Sequence, residues 1–127
     1  MTEVWKPCPG AESYYEVSNL GRVRRTAAAH GTYAGRVLRP QRSTQQRLFV
    51  KLYTGTKNYQ IALVHRLVAK AFIGPCPPGK EVNHKDGNPQ NNTADNLEWV
   101  TRQENHMHSI RVLWHQRGET HGSNKYS

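Results

Sequence analysis

Residues 81–114, EVNHKDGNPQNNTADNLEWVTRQENHMHSIRVLW, decide the fold. EVNH has the character of a short strand. The stretch after it is crowded with Asn, Asp, Gly and Pro, the residues that close turns through their own side chains or through unusual backbone angles. A helix is expected from about residue 101, because Thr101 followed three places on by Glu104 has the spacing of a capping box. Leu97 and Val100 then read as apolar anchors at the helix start, and Asn105, His108 and Val112 line one of its sides. A strand, loop and helix in this order bring a strand-end histidine against the first helical turns, so Asn83 and His84 face Asn105. From His84 to Asn96 is 12 positions, and from Asn96 to Asn105 is nine. Asp86-Gly87 reads as a turn, and Asn88, Asn91 and Asn92 as turn formers. His106 and His108, two apart, would be turned about 200° from each other on a helix, so they form no chelating pair and are expected at the surface or against a phosphate.

Upstream, GPCPPGK (74–80) is a stiff connector whose prolines fix φ and lack an amide donor, and it is expected to separate two modules. Before it, HRLVAKAF has helical spacing, with Leu67, Val68, Ala71 and Phe72 on one side and His65 packing or capping at its start. Residues 47–63 alternate as a β-hairpin. Leu48, Val50 and Leu52 form its apolar side, Gly55 marks the turn, Tyr59, Ile61 and Leu63 resume the pattern, and Lys51 and Lys57 lie on a solvated face. VLRPQRS (37–43) is basic and turn-rich, and TAAAHGTYAGR (26–36) has no clear period and reads as a loop. YYEVSNLGRVRR (14–25) is a second hairpin turning at Ser18, Asn19 and Gly21, with Arg22 and Arg24 on one face and Arg25 beside them, where they can meet phosphates. Trp99 is expected in the core.

Composition narrows the partners. The 18 Lys+Arg residues against 9 Asp+Glu give a formal net charge of +9, which attracts polyanions. Nucleic acid fits better than an anionic membrane, since no amphipathic helix with a broad apolar face is evident. No apolar run approaches the length needed to span a bilayer, and the N-terminus lacks a basic region leading into an apolar stretch, so a soluble, cytoplasmic protein is expected. The two cysteines, Cys8 and Cys76, form no CxxC pair, which excludes a zinc-finger reading.

The segment from Val64 to about Ile110, with VHRLVAKAFIGPCPPGKEVNHKDGNPQNNTADNLEWVTRQENH, resembles the HNH homing endonucleases of phages and mobile introns. WKPCPGAESYYEVSNLGRVRR looks like the NUMOD4-like module that often precedes the nuclease and is taken to help hold DNA. RGETHGSNKYS resembles the start of the linker that leads, in longer members, into a helix-turn-helix module. The resemblance implies an α+β fold with N-terminal antiparallel hairpins and a ββα-metal unit. It implies a DNA-contacting module over 1–50, a nuclease unit over 51–113 and a polar, fraying tail over 114–127. His84 matches the general base, Asn96 the central asparagine that ties the loop together, and Asn105 the last motif position, a metal ligand. Asn83 stands where the family often has Asp as the other ligand. Two amides bring no charge, so they would hold one Mg²⁺ or Mn²⁺ weakly until a DNA phosphate completes the shell.

The implied reaction is hydrolysis of a phosphodiester in double-stranded DNA, leaving 3′-hydroxyl and 5′-phosphate ends, in the host cytoplasm if phage-encoded. Neutral His84 can take a proton from water, and the metal can neutralise the departing oxygen. Arg22, Arg24, Arg25, Lys51, Lys57, Arg66 and Lys85 are the candidate DNA contacts. A monomer or weak dimer is expected, a monomer with one site nicking rather than cutting both strands. The rival reading is a DNA-binding module that keeps the HNH unit only as a scaffold. An RNA-binding protein fits the charge, and exposed aromatics on one sheet face would favour it.

Overall fold

The computed structural model describes residues 2–28, 31–55 and 58–116, with side chains to residue 111. Lys57 and the tail from 117 lie outside these residues, as does the side chain of Val112.

The fold is α+β. β1 (Trp5–Pro7), β2 (Tyr15–Ser18) and β3 (Val23–Arg25) form an antiparallel sheet in that order. Its second hairpin closes at the expected turn, where the Ser18 hydroxyl accepts from the backbone N–H of Leu20 and Arg22 and Gly21 takes a φ of 86°. β4 (Gln41–Arg42), β5 (Leu48–Tyr53) and β6 (Tyr59–Leu63) form the second antiparallel sheet. β4 falls in the stretch read as a basic turn; with both residues exposed it has no apolar alternation to announce it.

The β5–β6 register corrects the reading of that hairpin. Val50 pairs with Ala62 and Leu52 with Gln60, whereas Lys51 pairs with Ile61 and Tyr53 with Tyr59. Directly opposed residues share a face. Tyr59 and Ile61 therefore stand on the solvated side with Lys51, 45% and 62% exposed. Of the β6 residues opposite buried Val50 and Leu52, Ala62 is half-buried and Gln60 is exposed.

β6 runs directly into α1 (Val64–Phe72), with no side-chain cap at Leu63. Packing rather than capping holds this helix, since Val64, Leu67 and Val68 recur at one-face spacing and are all buried. The helix ends where Ile73 and Gly74 both donate to the Ala69 carbonyl, Gly74 having a φ of 134° ahead of Pro75. β7 (Lys80–His84) then pairs antiparallel with β8 (Leu97–Thr101), and α2 (Arg102–Gln116) follows without a break. The capping box is present: Glu104 N–H donates to Thr101 Oγ1 at 3.1 Å, and Thr101 N–H to Glu104 Oε1 at 2.8 Å. Leu97 and Val100 lie in the strand that runs straight into α2, and Leu97 is buried in the core.

The Pro-rich connector does not divide the packing. One buried cluster takes in Tyr15, Val17 and Val23 of the first sheet, Val50 and Leu52 of the second, α1, and Val82 and Leu97 of the last hairpin. Full burial of side chains of this size stabilises by roughly 1.5–3 kcal/mol each, so α1 is the wedge that fixes the β7–β8 hairpin against the N-terminal sheets. Trp99 adds a directional tie through its Nε1–H to the Gly74 carbonyl at 3.2 Å. Burial pushes the Cys8 thiol up to about 12, which leaves it unreactive. Among the described residues no helix is long and apolar enough to cross a membrane.

Candidate active site

β7 delivers two candidate site residues at its end. Asn83 is buried and His84 half-buried, and both line a cleft of about 280 Å³ together with Arg47, His65, Asn105 and His108. α2 supplies Asn105 and His108 from positions three apart, so the same helical face presents both.

The loop after His84 is closed by Asn96 and Asp86. Asn96 Nδ2 donates to Asp86 Oδ1 at 2.9 Å and to the Asn91 carbonyl at 2.8 Å, while its Oδ1 accepts from the Asp86 N–H at 3.0 Å. Asp86 Oδ1 also accepts from the Asn88 N–H and Oδ2 from Asn91 Nδ2, both at 2.8 Å. Burial works to raise the Asp86 carboxyl, but these donations, with the field of His84, outweigh it and hold the group below the usual carboxylate range. Asp86 is thus part of the turn, as is Asn88, whose side chain accepts from the Gln90 N–H.

Asn92 is not a turn former. It is buried, and its Oδ1 lies 2.7 Å from His84 Nε2. An amide oxygen only accepts, so Nε2 carries the proton and Nδ1 keeps the lone pair. The His84 carbonyl accepts from His108 Nε2 at 3.1 Å and from the Gly87 N–H at 2.9 Å, so the residue is held at ring and backbone alike. His108, expected at the surface, is turned inward; His106 is exposed.

His65 packs its ring 5.2 Å from that of His84, tilted by 52°. It is buried, and burial, reinforced by His84, Arg47 and Arg66, pushes its imidazole down to about 3. Burial also lowers His84; the Asn92 bond and Asp86 work against that shift and Arg47 adds to it. Both rings are therefore neutral at pH 7, the form in which His84 can accept a proton.

Asn83 and Asn105 offer amide oxygens. Among the described residues no group of three or more His, Cys, Asp or Glu is arranged to hold a metal ion. The donor set thus fits a hard, oxygen-preferring divalent cation whose shell a substrate completes, and it does not fit a closed zinc site.

The basic candidates differ in presentation. Arg22 and Arg24 flank the Trp5 ring and pair with Glu3 and Glu16, at 2.9 and 2.8 Å. Arg25 is buried, donating to the Tyr15 hydroxyl at 2.7 Å and the Ala27 carbonyl at 3.0 Å, so it braces the sheet where an outward contact was expected. Lys51 lies over the Tyr59 ring, and Arg66 and Lys85 are exposed.

A family model described as HNH endonuclease matches residues 62–107, and one described as the NUMOD4 motif matches residues 3–53. Residues 62–107 belong to the HNH endonuclease family. It is 49% identical over 73 residues to the SPbeta prophage-derived YosQ of Bacillus subtilis (strain 168), named as an HNH homing endonuclease, covering 56% of this chain and 40% of that protein. It is 38% identical over 101 residues to DNA endonuclease I-HmuI of Bacillus phage SP01, covering 80% of this chain and 54% of that protein. A solved structure described as DNA binding and cleavage by the HNH homing endonuclease I-HmuI superposes with a TM-score of 0.70 at 35% identity, over 94% of this chain and 62% of that one. This HNH chain therefore spans less than two thirds of the length of these relatives.

The residues around the cleft that sequence reasoning missed are Asn92, His65 and His108, with Glu81 and Glu98 hydrogen-bonded to the amides of Asn105 and Asn83. His108 had a signal, its place three residues after Asn105. Asn92 and His65 had none, because their role depends on where His84 folds.

Proposed function

We propose that this HNH chain hydrolyses phosphodiester bonds in double-stranded DNA as the nuclease part of a metal-dependent endonuclease, with His84 as general base. The observation that carries the reading is a neutral imidazole whose Nε2–H is committed to Asn92 Oδ1, in one cleft with the amides of Asn83 and Asn105. Nδ1 takes the proton from water as its oxygen attacks phosphorus, and Asn92 Oδ1 shares the positive charge that forms on the ring. Asn83 and Asn105 would hold one Mg²⁺ or Mn²⁺, which would supply charge stabilisation at the phosphate and the leaving 3′ oxygen. Asn96 keeps the loop that carries Asn92 closed. Residues 51–113 act as the nuclease unit, and residues 1–50 contact DNA through Arg22 and Arg24, with Lys51, Arg66 and Lys85 as further contacts.

The test is cleavage of supercoiled plasmid by wild type and His84→Ala with Mg²⁺, Mn²⁺ or EDTA, beside a gel shift of both proteins. The expected result is metal-dependent nicking or linearisation by wild type, with His84→Ala binding DNA equally and leaving it intact. DNA binding by both proteins with no cleavage under any metal would make the chain a binding module on an HNH scaffold.

A further inference from the structure

Asn83 and Asn105 each have a carboxylate behind them. Asn83 Nδ2 donates to Glu98 Oε2 at 2.7 Å, across the β7–β8 ladder where the two residues are directly opposed. Asn105 Nδ2 donates to Glu81 Oε1, also on β7, at 2.6 Å. Glu81 and Asn83 are two apart and share one face of the strand, the face toward Asn105 of α2. A carboxylate only accepts, so each glutamate fixes its asparagine with the NH₂ on the glutamate side and the Oδ1 on the other. Four side chains from three elements thus form two matched pairs around one cleft.

We propose that Glu81 and Glu98 are positioning residues that aim the amide oxygens of Asn105 and Asn83 and supply, one hydrogen bond back, the negative charge that two neutral ligands lack. The inference rests on the metal-dependent reading above. A charged acceptor on the amide N–H polarises the amide and makes its oxygen a stronger donor, as outer-shell carboxylates do for other ligands. Little competes for that charge at Glu81: Arg102 Nε stands 4.0 Å from Oε2, with its side chain 92% exposed, and a pair so solvated is weak. Asn83 is buried, which keeps its bond to Glu98 out of water's reach.

A purely structural role for the glutamates makes a different prediction, and glutamine separates the two. In Glu81→Gln and Glu98→Gln the new Oε1 still accepts from the asparagine NH₂, so fold and amide orientation persist while the charge is removed. The experiment measures Mn²⁺ affinity by electron paramagnetic resonance for the full chain in a His84→Ala background, with intact duplex DNA present and DNA alone as the blank. Melting temperatures of the same samples are recorded alongside. Each glutamine variant should weaken Mn²⁺ binding about 10-fold, the lower end of the usual outer-shell effect, with the melting temperature unchanged; the double variant should weaken it about 100-fold. The charge swap Asn83→Asp with Glu98→Gln puts the charge on the ligand itself and should restore binding to the parent level or better. If the parent binds Mn²⁺ and both glutamine variants bind it within about twofold, the positioning role falls and the nuclease reading stands. If the parent protein adds no Mn²⁺ binding to that of DNA, both fall.

Discussion

Asn92→Ala isolates what the His84–Asn92 hydrogen bond contributes to proton transfer. Asn92 Oδ1 is 2.7 Å from His84 Nε2, and the bond gains strength as the ring becomes imidazolium. A hydrogen bond to a charged group is worth about 1.5–3 kcal/mol, so its loss in the transition state lowers kcat by about 10- to 150-fold. The pH profile adds a signature that a general loss of structure lacks. His84 is lowered by burial, and the Asn92 bond is the strongest influence raising it again. Removing that bond lets the pKa fall further, so the plateau rate drops while the acid limb moves to lower pH. Asn92→Asp should do the reverse to the limb, because a carboxylate favours the imidazolium and carries the midpoint upward. The assay is single-turnover cleavage of supercoiled plasmid at saturating metal from pH 5 to 8.5. An Asn92→Ala enzyme with wild-type plateau rate, or one whose acid limb moves to higher pH, would refute the argument.

Three further outcomes are expected. His65 has its pKa pushed from an ordinary 6.5 to about 3, so between these values the unfolded chain binds the extra proton; stability is therefore fully present above pH 6.5 and falls by up to about 1.4 kcal/mol per pH unit as pH drops through the window, a slope that His65→Phe should flatten in denaturant melts. Gly21→Ala should destabilise by about 1–3 kcal/mol and slow cleavage, because a side chain at φ 86° is strained and its Cβ would stand 3.0 Å from the Asn92 carbonyl oxygen; wild-type cleavage in a destabilised variant would show that this contact does not reach His84. Leu97→Ala, emptying a buried position opposite His84 in the ladder, should cost about 2–5 kcal/mol, read as a shift of the urea midpoint at unchanged slope.

What could be read from the sequence was what local chemistry determines. The capping box at Thr101 and Glu104 fixes where α2 begins, and helical spacing then puts Asn105 and His108 on one face. The Asx-rich stretch announces a loop between His84 and Asn96. Those facts suffice to bring His84 and Asn105 together. The same capping box places Leu97 and Val100 before the helix, where they lie in β8 and lead straight into it. Over so short a run the cap is the decisive signal, because it reports satisfied backbone donors while two apolar residues fit strand or helix equally.

Register was the main thing that could not be read. Tyr59 and Ile61 look like the continuation of an apolar face, yet a hairpin's facing is set by its loop, and here each lands opposite Tyr53 or Lys51 on the solvated side. The same uncertainty hid the site's second layer. Glu98 meets Asn83 only because β7 and β8 pair with those residues opposed; one step of slip would put Glu98 on the other face and leave the Asn83 amide without its carboxylate. The register is held by buried Leu97 opposite His84 and by Val82 opposite Trp99, whose indole is tied to the end of α1. Apolar residues at alternate positions of the two strands thus determine which polar side chains meet between them, and the core that α1 builds also sets the amides and the imidazole along one cleft.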